Sequence, residues 1–145
     1  EIAYSGPNKK ALPYIYHREI KDLAKDCDIL FLACPATPET NKMVNAEVLE
    51  ALGSTGYLVN IARGSVVDED ALLYALQHKK IAGAALDVFE NEPNPNKDFL
   101  NLDNVLLTPH IGSATSETRI AMTQLAVDNL EAFFKQQPLP SEVNN

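Results

Sequence analysis

Short apolar runs alternate with longer polar or amphipathic segments along this chain. The apolar runs predict strands at residues 1–5, 28–33, 57–61, 81–86 and 104–108. Apolar runs this short are typical of parallel strands that are covered on both faces. The segments between them predict helices, so the alternation indicates an α/β fold with a doubly wound parallel sheet.

Two of the predicted helices carry clear boundary signals. Asn45 can cap a short helix that Gly53 ends, because asparagine accepts from free N–H groups and glycine tolerates a left-handed backbone. Asp68 can cap the next helix, with Val67 and Leu72 forming a hydrophobic staple across its first turn. Acidic residues follow this cap and basic residues lie near the far end, as the helix dipole favours.

The last predicted helix spans residues 116–136, and its pattern indicates one apolar face. The apolar positions on that face are Ile120, Val127, Leu130 and Phe134. Two prolines, Pro138 and Pro140, end the helix. A shorter polar helix is expected over residues 18–26.

Length and composition fit one soluble domain with a core. The chain has 145 residues, of which 46% are hydrophobic, and a net charge of −8. That charge argues against nucleic acid and against anionic membrane surfaces, and neither a membrane span nor a signal peptide is expected. Cys27 and Cys34 lack the spacing of a metal site and flank a predicted strand, which favours a reduced compartment, the cytoplasm.

Three residues that could carry chemistry follow predicted strands, where ligands bind in open α/β sheets. Arg63 offers a two-pronged guanidinium for a carboxylate or phosphate, and His110 can exchange a proton near neutral pH. Glu92, if it lies near His110, would favour the imidazolium and orient its ring. Each has a structural alternative: a surface arginine, a histidine bonded to backbone at the helix entry, or an acidic loop residue.

Further positions give weaker signals. Asp87 ends a strand, where it could accept from a ligand amide or serve as a turn residue. Gly112 and Ser113 precede the last helix, where they could bind an anion at its N-terminus or simply cap it. His17 and His78 lie in polar helical settings and are expected at the surface.

Three motifs, taken in order, resemble the D-isomer-specific 2-hydroxyacid dehydrogenase family. They are Asn60-Ile-Ala-Arg-Gly64, Ala84-Ala-Leu-Asp-Val-Phe89 with Glu92-Pro93, and Thr108-Pro-His-Ile-Gly112. The likeness covers essentially the whole chain. Within the family, the branch it looks most like is that of glyoxylate/hydroxypyruvate reductases. That finer likeness is carried by Phe31-Leu-Ala-Cys-Pro-Ala-Thr-Pro-Glu-Thr40, His110-Ile-Gly-Ser-Ala-Thr115 and Pro138-Leu-Pro-Ser-Glu142.

The resemblance implies the reduction of a small 2-keto acid to a D-2-hydroxy acid by NAD(P)H. Arg63 would hold the substrate carboxylate, and His110 would give a proton to the carbonyl oxygen as hydride arrives from the nicotinamide. Glu92 would keep His110 protonated and oriented, and Asp87 would meet the nicotinamide carboxamide. The full set expected around the cofactor is Ser5, Lys9, Cys34, Pro35, Ile61, Ala62, Arg63, Asp87, His110, Gly112 and Ser113.

The sequence departs from the family pattern at its beginning. No G-x-G-x-x-G phosphate loop is found, since this loop would precede the first residue. The chain therefore looks like the carboxyl-terminal portion of a longer enzyme, which the family implies is a homodimer. Residues 1–112 are expected to be a partial Rossmann-like dinucleotide-binding domain, incomplete at its amino-terminal end. Residues 113–145 are expected to form a helix and tail returning toward the substrate domain.

The end of the first predicted strand bears on cofactor choice. NAD-dependent enzymes place an acidic residue at this position to bind the ribose 2′-hydroxyl. Here the residue is Ser5, and Lys9 and Lys10 follow. A hydroxyl and lysines suit a 2′-phosphate, so NADPH is the predicted preference, with NAD possible.

Other functions are compatible with the same motifs. The substrate could be another 2-keto acid or a phosphoglycerate. A dinucleotide-sensing binding protein of the corepressor kind can keep the same Arg, Glu and His. A fragment without activity of its own is a third alternative.

Overall fold

The computed structural model describes residues 1–143, which form parallel strands and helices in the predicted alternation. The strands are β1 (Ala3–Ser5), β2 (Ile15–His17), β3 (Ile29–Leu32), β4 (Tyr57–Asn60), β5 (Gly83–Leu86) and β6 (Val105–Leu107). The helices are α1 (Ile20–Asp26), α2 (Ala46–Leu52), α3 (Glu69–Gln77) and α4 (Ser116–Phe134), with short 3-10 turns at Gly64–Val66 and Lys97–Asn101. Each strand and helix predicted above is present, with ends shifted by a few residues.

The strands form two sheets, and every pairing is parallel. β1 pairs with β2, and the larger sheet has the order β3-β4-β5-β6. A doubly wound sheet has the strand order 3-2-1-4-5-6. Helices alternate with these parallel strands along the chain, which confirms the predicted α/β class.

The strand β2 was not predicted from the sequence. It has three residues, pairs with β1 in the register Ala3↔Ile15, and is followed closely by α1. The hydroxyl of Tyr16 donates to the carbonyl oxygen of Gly6 at 2.9 Å, so the β1–β2 connection is fastened to the second strand. A run this short has no periodicity of its own, and the strand forms through its partner.

The predicted helix ends are confirmed. The side chain of Asn45 accepts from the N–H groups of Glu47 and Val48 at 3.0 and 3.2 Å, and Gly53 ends α2 with φ of 78°. The side chain of Asp68 accepts from the N–H of Ala71 at 3.3 Å. Local sequence signals therefore fix where α2 and α3 begin.

The prediction that the strands are covered on both faces is wrong for these residues. Alternate side chains of a strand point to opposite faces, and one face carries the core, which joins Leu30 and Leu58 to residues of α1, α2 and α3. The opposite face is exposed: Ile29, Phe31 and Leu106 are 58%, 56% and 63% accessible. The helices within residues 1–110 pack on a single face of the larger sheet.

The chain divides into two compact units between His110 and Ile111. The second unit contains α4, whose N-cap is Thr115; its hydroxyl accepts from the N–H of Thr118 at 3.2 Å. The apolar positions predicted to share one face of α4 are exposed at Ile120, Val127, Leu130 and Phe134. None of the helices in residues 1–143 has the length and apolar character that a membrane crossing requires.

Candidate active site at the carboxyl edge of the sheet

The carboxyl ends of four neighbouring parallel strands bring the predicted residues to one edge of the larger sheet. Cys34 follows β3, Arg63 follows β4, Asp87 follows β5 and His110 follows β6. In open α/β sheets, this edge forms the crevice in which ligands bind. The sheet order alone therefore gathers residues that are far apart in the sequence.

Arg63 is held in a turn that a buried amide stabilises. Asn60, only 1% exposed, donates from Nδ2 to the carbonyl oxygen of Arg63 at 3.1 Å and accepts from the N–H of Ala62 at 3.0 Å. The guanidinium Nη1 of Arg63 donates to the carbonyl oxygen of Ala62 at 2.6 Å. The backbone of the turn is fixed, while the side chain of Arg63 stays exposed for a ligand.

Glu92 and His110 form a direct pair across two loops. Oε2 of Glu92 lies 2.7 Å from Nδ1 of His110, and Oε1 accepts from the N–H of Phe89 at 3.2 Å. The hydrogen bond from His110 lowers the pKa of Glu92, and the charge of Arg63 acts in the same direction.

His110 has a left-handed backbone, with φ of 54°. Residues other than glycine adopt this conformation uncommonly, and Lys42, Lys79 and Gln136 share it within the described residues. Its N–H donates to the carbonyl oxygen of Thr108 at 3.0 Å. This backbone turns the chain sharply after β6, where the ring of His110 meets Glu92.

Asp87 is buried behind the edge and is bonded to the residue before Pro109. The hydroxyl of Thr108 donates to Oδ1 of Asp87 at 2.5 Å, and the N–H of Thr108 donates to the carbonyl oxygen of Leu86 at 2.9 Å. The N–H of Asp87 donates to the carbonyl oxygen of Asn60 at 3.0 Å. Asp87 therefore links the ends of β4, β5 and β6.

An open cleft of about 500 Å³ lies between the ends of β3 and β4. Its lining residues are Ala33, Cys34, Pro35, Ala36, Ile61, Ala62 and Arg63. Burial raises the pKa of the Cys34 thiol, which favours the neutral form. Small side chains and backbone line most of the cleft, and Arg63 adds one cation. Within residues 1–143, no His, Cys, Asp or Glu side chains are grouped as a metal site.

Two of the expected cofactor residues belong to the smaller sheet and the loop after β1, and two belong to the second unit. Ser5 is the last residue of β1, and Lys9 lies in the connection to β2; the hydroxyl of Ser5 donates to the carbonyl oxygen of Arg18 at 3.4 Å. Gly112 and Ser113 belong to the second unit and form a turn ahead of α4. Ser113 is not the helix cap, because that position is taken by Thr115.

Sequence reasoning gave no role to several residues that build the site. Asn60 and Thr108 lie within the family motifs, and both form hydrogen bonds with candidate residues, Asn60 with the backbone of Arg63 and Thr108 with the side chain of Asp87. The sequence does carry a signal for both residues, because each is a polar residue at the end of an apolar strand. Gly64 also helps to build the site, because a Cβ at this position would overlap the backbone of Phe89 and Glu90.

Comparison with known proteins identifies the family of the chain. Residues 2–112 match the family described as D-isomer specific 2-hydroxyacid dehydrogenase, NAD binding domain. The chain belongs to this family. The match covers both sheets and the whole carboxyl edge, so the larger part of the chain is the family's NAD-binding domain.

Relatives within the family carry several substrate names. A 2-ketogluconate reductase of Gluconobacter oxydans is 53% identical over 99% of this chain and 46% of its own length. A glyoxylate/hydroxypyruvate reductase A of Arabidopsis thaliana is 47% identical over 97% of this chain and 45% of its own length. The chain spans less than half the length of these relatives.

A solved structure has the same fold. The NADPH-dependent glyoxylate/hydroxypyruvate reductase of Sinorhizobium meliloti, in complex with NADP and malonate, superposes with a TM-score of 0.93 at 47% identity. The superposition covers 97% of this chain and 44% of that one. A second crystal structure of that enzyme contains citrate.

Proposed function

We propose that this chain supplies the proton donor and the carboxylate-binding residue of an NADPH-dependent 2-keto acid reductase. The substrate is glyoxylate or hydroxypyruvate, and the product is the D-2-hydroxy acid. The observation that carries the proposal is the 2.7 Å contact between His110 and Glu92 at the sheet edge that also holds Arg63. A proton donor and a carboxylate receptor are the two groups that this reduction needs from the protein.

Arg63 binds the substrate carboxylate. Its guanidinium can donate two parallel hydrogen bonds to the two carboxylate oxygens, and this fixes the direction of the neighbouring carbonyl. The turn that carries Arg63 is fixed by Asn60, so little ordering is needed when the substrate binds. Malonate and citrate in the structures of the relative are small carboxylates of the kind that such a fork accepts.

His110 supplies the proton. Because Nδ1 faces Glu92, the opposite ring nitrogen, Nε2, is the one that delivers the proton to the carbonyl oxygen. The Glu92 carboxylate accepts from Nδ1–H and holds the ring in place during the transfer. In the reverse direction, Nε2 takes the proton back from the hydroxyl.

The residues around the cleft fit a nicotinamide cofactor. Cys34, Pro35, Ile61 and Ala62 would line the cofactor groove, and the partly accessible Asp87, which is 8% exposed, would accept from a carboxamide N–H. When bound, the cofactor supplies the hydride that adds to the carbonyl carbon. Gly112 and Ser113 would contact it from the segment before α4.

The preference for NADPH rests on the residues after β1. Ser5 stands where NAD-binding folds use a carboxylate, and Lys9 brings a positive charge to the loop that follows. The relative from Sinorhizobium meliloti is described as NADPH-dependent, which supports the same choice. NADH remains usable in this proposal because nothing in the loop repels the 2′-hydroxyl.

The test is steady-state NADPH oxidation by the full-length protein that contains this sequence. Glyoxylate, hydroxypyruvate, 2-ketogluconate and pyruvate are compared at matched concentrations. The proposal expects the highest kcat/KM with glyoxylate or hydroxypyruvate. A higher value with 2-ketogluconate would assign the activity of the Gluconobacter oxydans relative instead. No turnover with any of the four would favour a dinucleotide-sensing binding protein.

A further inference from the structure

Glu69 contacts the loop that carries Glu92. It is the first residue of α3, and its Oε1 accepts from the backbone N–H of Glu90 at 2.6 Å. An acidic residue in a first helical turn is expected from the helix dipole alone, but such a side chain usually faces solvent. Here it is half-buried, and this burial raises its pKa.

The segment that leads from Arg63 to Glu69 is firmly anchored. Val66 and Val67 are 0% and 1% exposed, and their N–H groups donate to the carbonyl oxygens of Arg63 and Gly64 at 3.2 and 3.1 Å. The N–H of Val44 also donates to the carbonyl oxygen of Val66 at 3.0 Å. Arg63 and the start of α3 therefore behave as one rigid piece.

Two contacts from this piece hold the same peptide of the neighbouring loop. The Cα of Gly64 lies against the backbone of Phe89 and Glu90, where no side chain would fit. Glu69 bonds to the N–H of that same peptide. The N–H of Phe89 in turn donates to Glu92, which pairs with His110. A short chain of contacts therefore runs from Glu69 to the proton donor.

We infer that Glu69 is a positioning residue, which ties the Glu92 loop to the Arg63 turn and so sets the distance from proton donor to substrate carboxylate. The inference rests on the proposed function for its chemical meaning, while the tether itself is a property of residues 63–92. The Glu69 side chain has the length that brings its acceptor oxygen to the N–H of Glu90. In this role the hydrogen bond matters, and the negative charge of Glu69 does not.

Two conservative variants separate this role from support of the helix dipole. Glu69→Gln keeps an acceptor oxygen at the same reach but loses the charge. Glu69→Asp keeps the charge at the N-terminus of α3 but is one methylene too short for the N–H of Glu90. If Glu69 acts as a tether, Glu69→Gln should keep the position of the Glu92 loop and Glu69→Asp should lose it. If Glu69 acts only on the helix dipole, the reverse is expected. Asp70→Ala is the matched control, since Asp70 is the adjacent exposed acid of the same turn.

The first readout is the NMR signal of the His110 ring nitrogens in the 145-residue chain. Glu92→Gln supplies the reference for a ring without its carboxylate. We expect Glu69→Asp to move the Nδ1 signal toward that reference, while Glu69→Gln and Asp70→Ala stay at the wild-type position. An unmoved signal in Glu69→Asp, or an equal displacement in Glu69→Gln, overturns the inference whether or not the protein is a reductase.

The second readout is kinetic, in the full-length protein. Misplacement of the proton donor should lower kcat of Glu69→Asp roughly 10- to 100-fold, with a smaller change in the KM for the keto acid. Glu69→Gln should recover most of that loss. Failure of the proposed function is recognised separately, because His110→Ala would then leave keto acid reduction unchanged. Wild-type kinetics in Glu69→Asp would overturn the tether.

Discussion

The larger and the smaller sheet hold their candidate residues in different ways. At the edge of β4, β5 and β6, the contacts join distant parts of the chain: Glu92 to His110 across 18 residues and Asp87 to Thr108 across 21. At the end of β1, the hydroxyl of Ser5 donates to the backbone of Arg18, 13 residues away, and Lys9 is exposed. Hydrogen bonds between separate loops connect the candidate residues of the larger sheet. The candidate residues at the end of β1 lie in one short stretch of the chain that is partly open to solvent.

This difference indicates what each region can control. Proton transfer needs groups held within a few tenths of an ångström, and interlocked loops provide such a constraint. Discrimination between a 2′-hydroxyl and a 2′-phosphate needs only the correct charge nearby, which an exposed loop provides. Substitutions at the interlocked edge should therefore change rates by large factors, and those near Ser5 should change cofactor choice modestly.

The largest effect is expected for His110→Ala in the full-length protein. Removal of a general acid should lower kcat by about 10²–10⁴-fold. His78→Ala is the control, since His78 is exposed and stacks on Tyr74 at 4.0 Å within α3 and its cap. Stopped-flow measurement of NADPH oxidation gives the rate of the chemical step. A kcat for His110→Ala within twofold of the control would remove His110 from the reaction.

A smaller effect is expected for Arg63. Hydrogen bonds to charged groups contribute about 1.5–3 kcal/mol, so Arg63→Ala should lower kcat/KM by at least about 10-fold, mostly through KM. Arg63→Lys keeps the charge but loses the two-pronged geometry, and should recover only part of the loss. Initial rates over a range of glyoxylate concentrations separate the two constants. If both constants stay at the wild-type values in Arg63→Ala, another group binds the carboxylate.

A selective effect is expected at the end of β1. Ser5→Asp places a negative charge beside the expected 2′-phosphate, and repulsion of about 1 kcal/mol or more at 4 Å should lower kcat/KM for NADPH roughly fivefold or more. NADH should be affected little, so the ratio of the two efficiencies reports the change. Asn41→Asp, in an exposed loop after β3, is the charge-matched control. An unchanged ratio would place the 2′-phosphate elsewhere.

The same contrast explains how much the sequence could predict. Caps such as Asn45 and Asp68 depend on neighbours within three residues, and the strands depend on local apolar runs, so both were predicted correctly. β2 and the exposed sheet face depend on which partner is present, and a local pattern does not contain that information. The contact between Glu69 and Glu90 joins residues 21 apart, and the sequence indicated only a helix-dipole role.

The smallest expected effect is a pH dependence of stability with opposite signs for two carboxylates of the same edge. His110 lowers the pKa of folded Glu92, so the unfolded chain binds more protons and the stabilisation is lost as pH falls through that pKa. Burial raises the pKa of folded Glu69, so its contribution falls as pH rises through that pKa. Urea unfolding of the 145-residue chain from pH 3 to 7 should find Glu92→Gln less stable than wild type at neutral pH and Glu69→Gln at least as stable. Both differences should shrink toward pH 3, and parallel curves for all three proteins would contradict the pairing of Glu92 with His110.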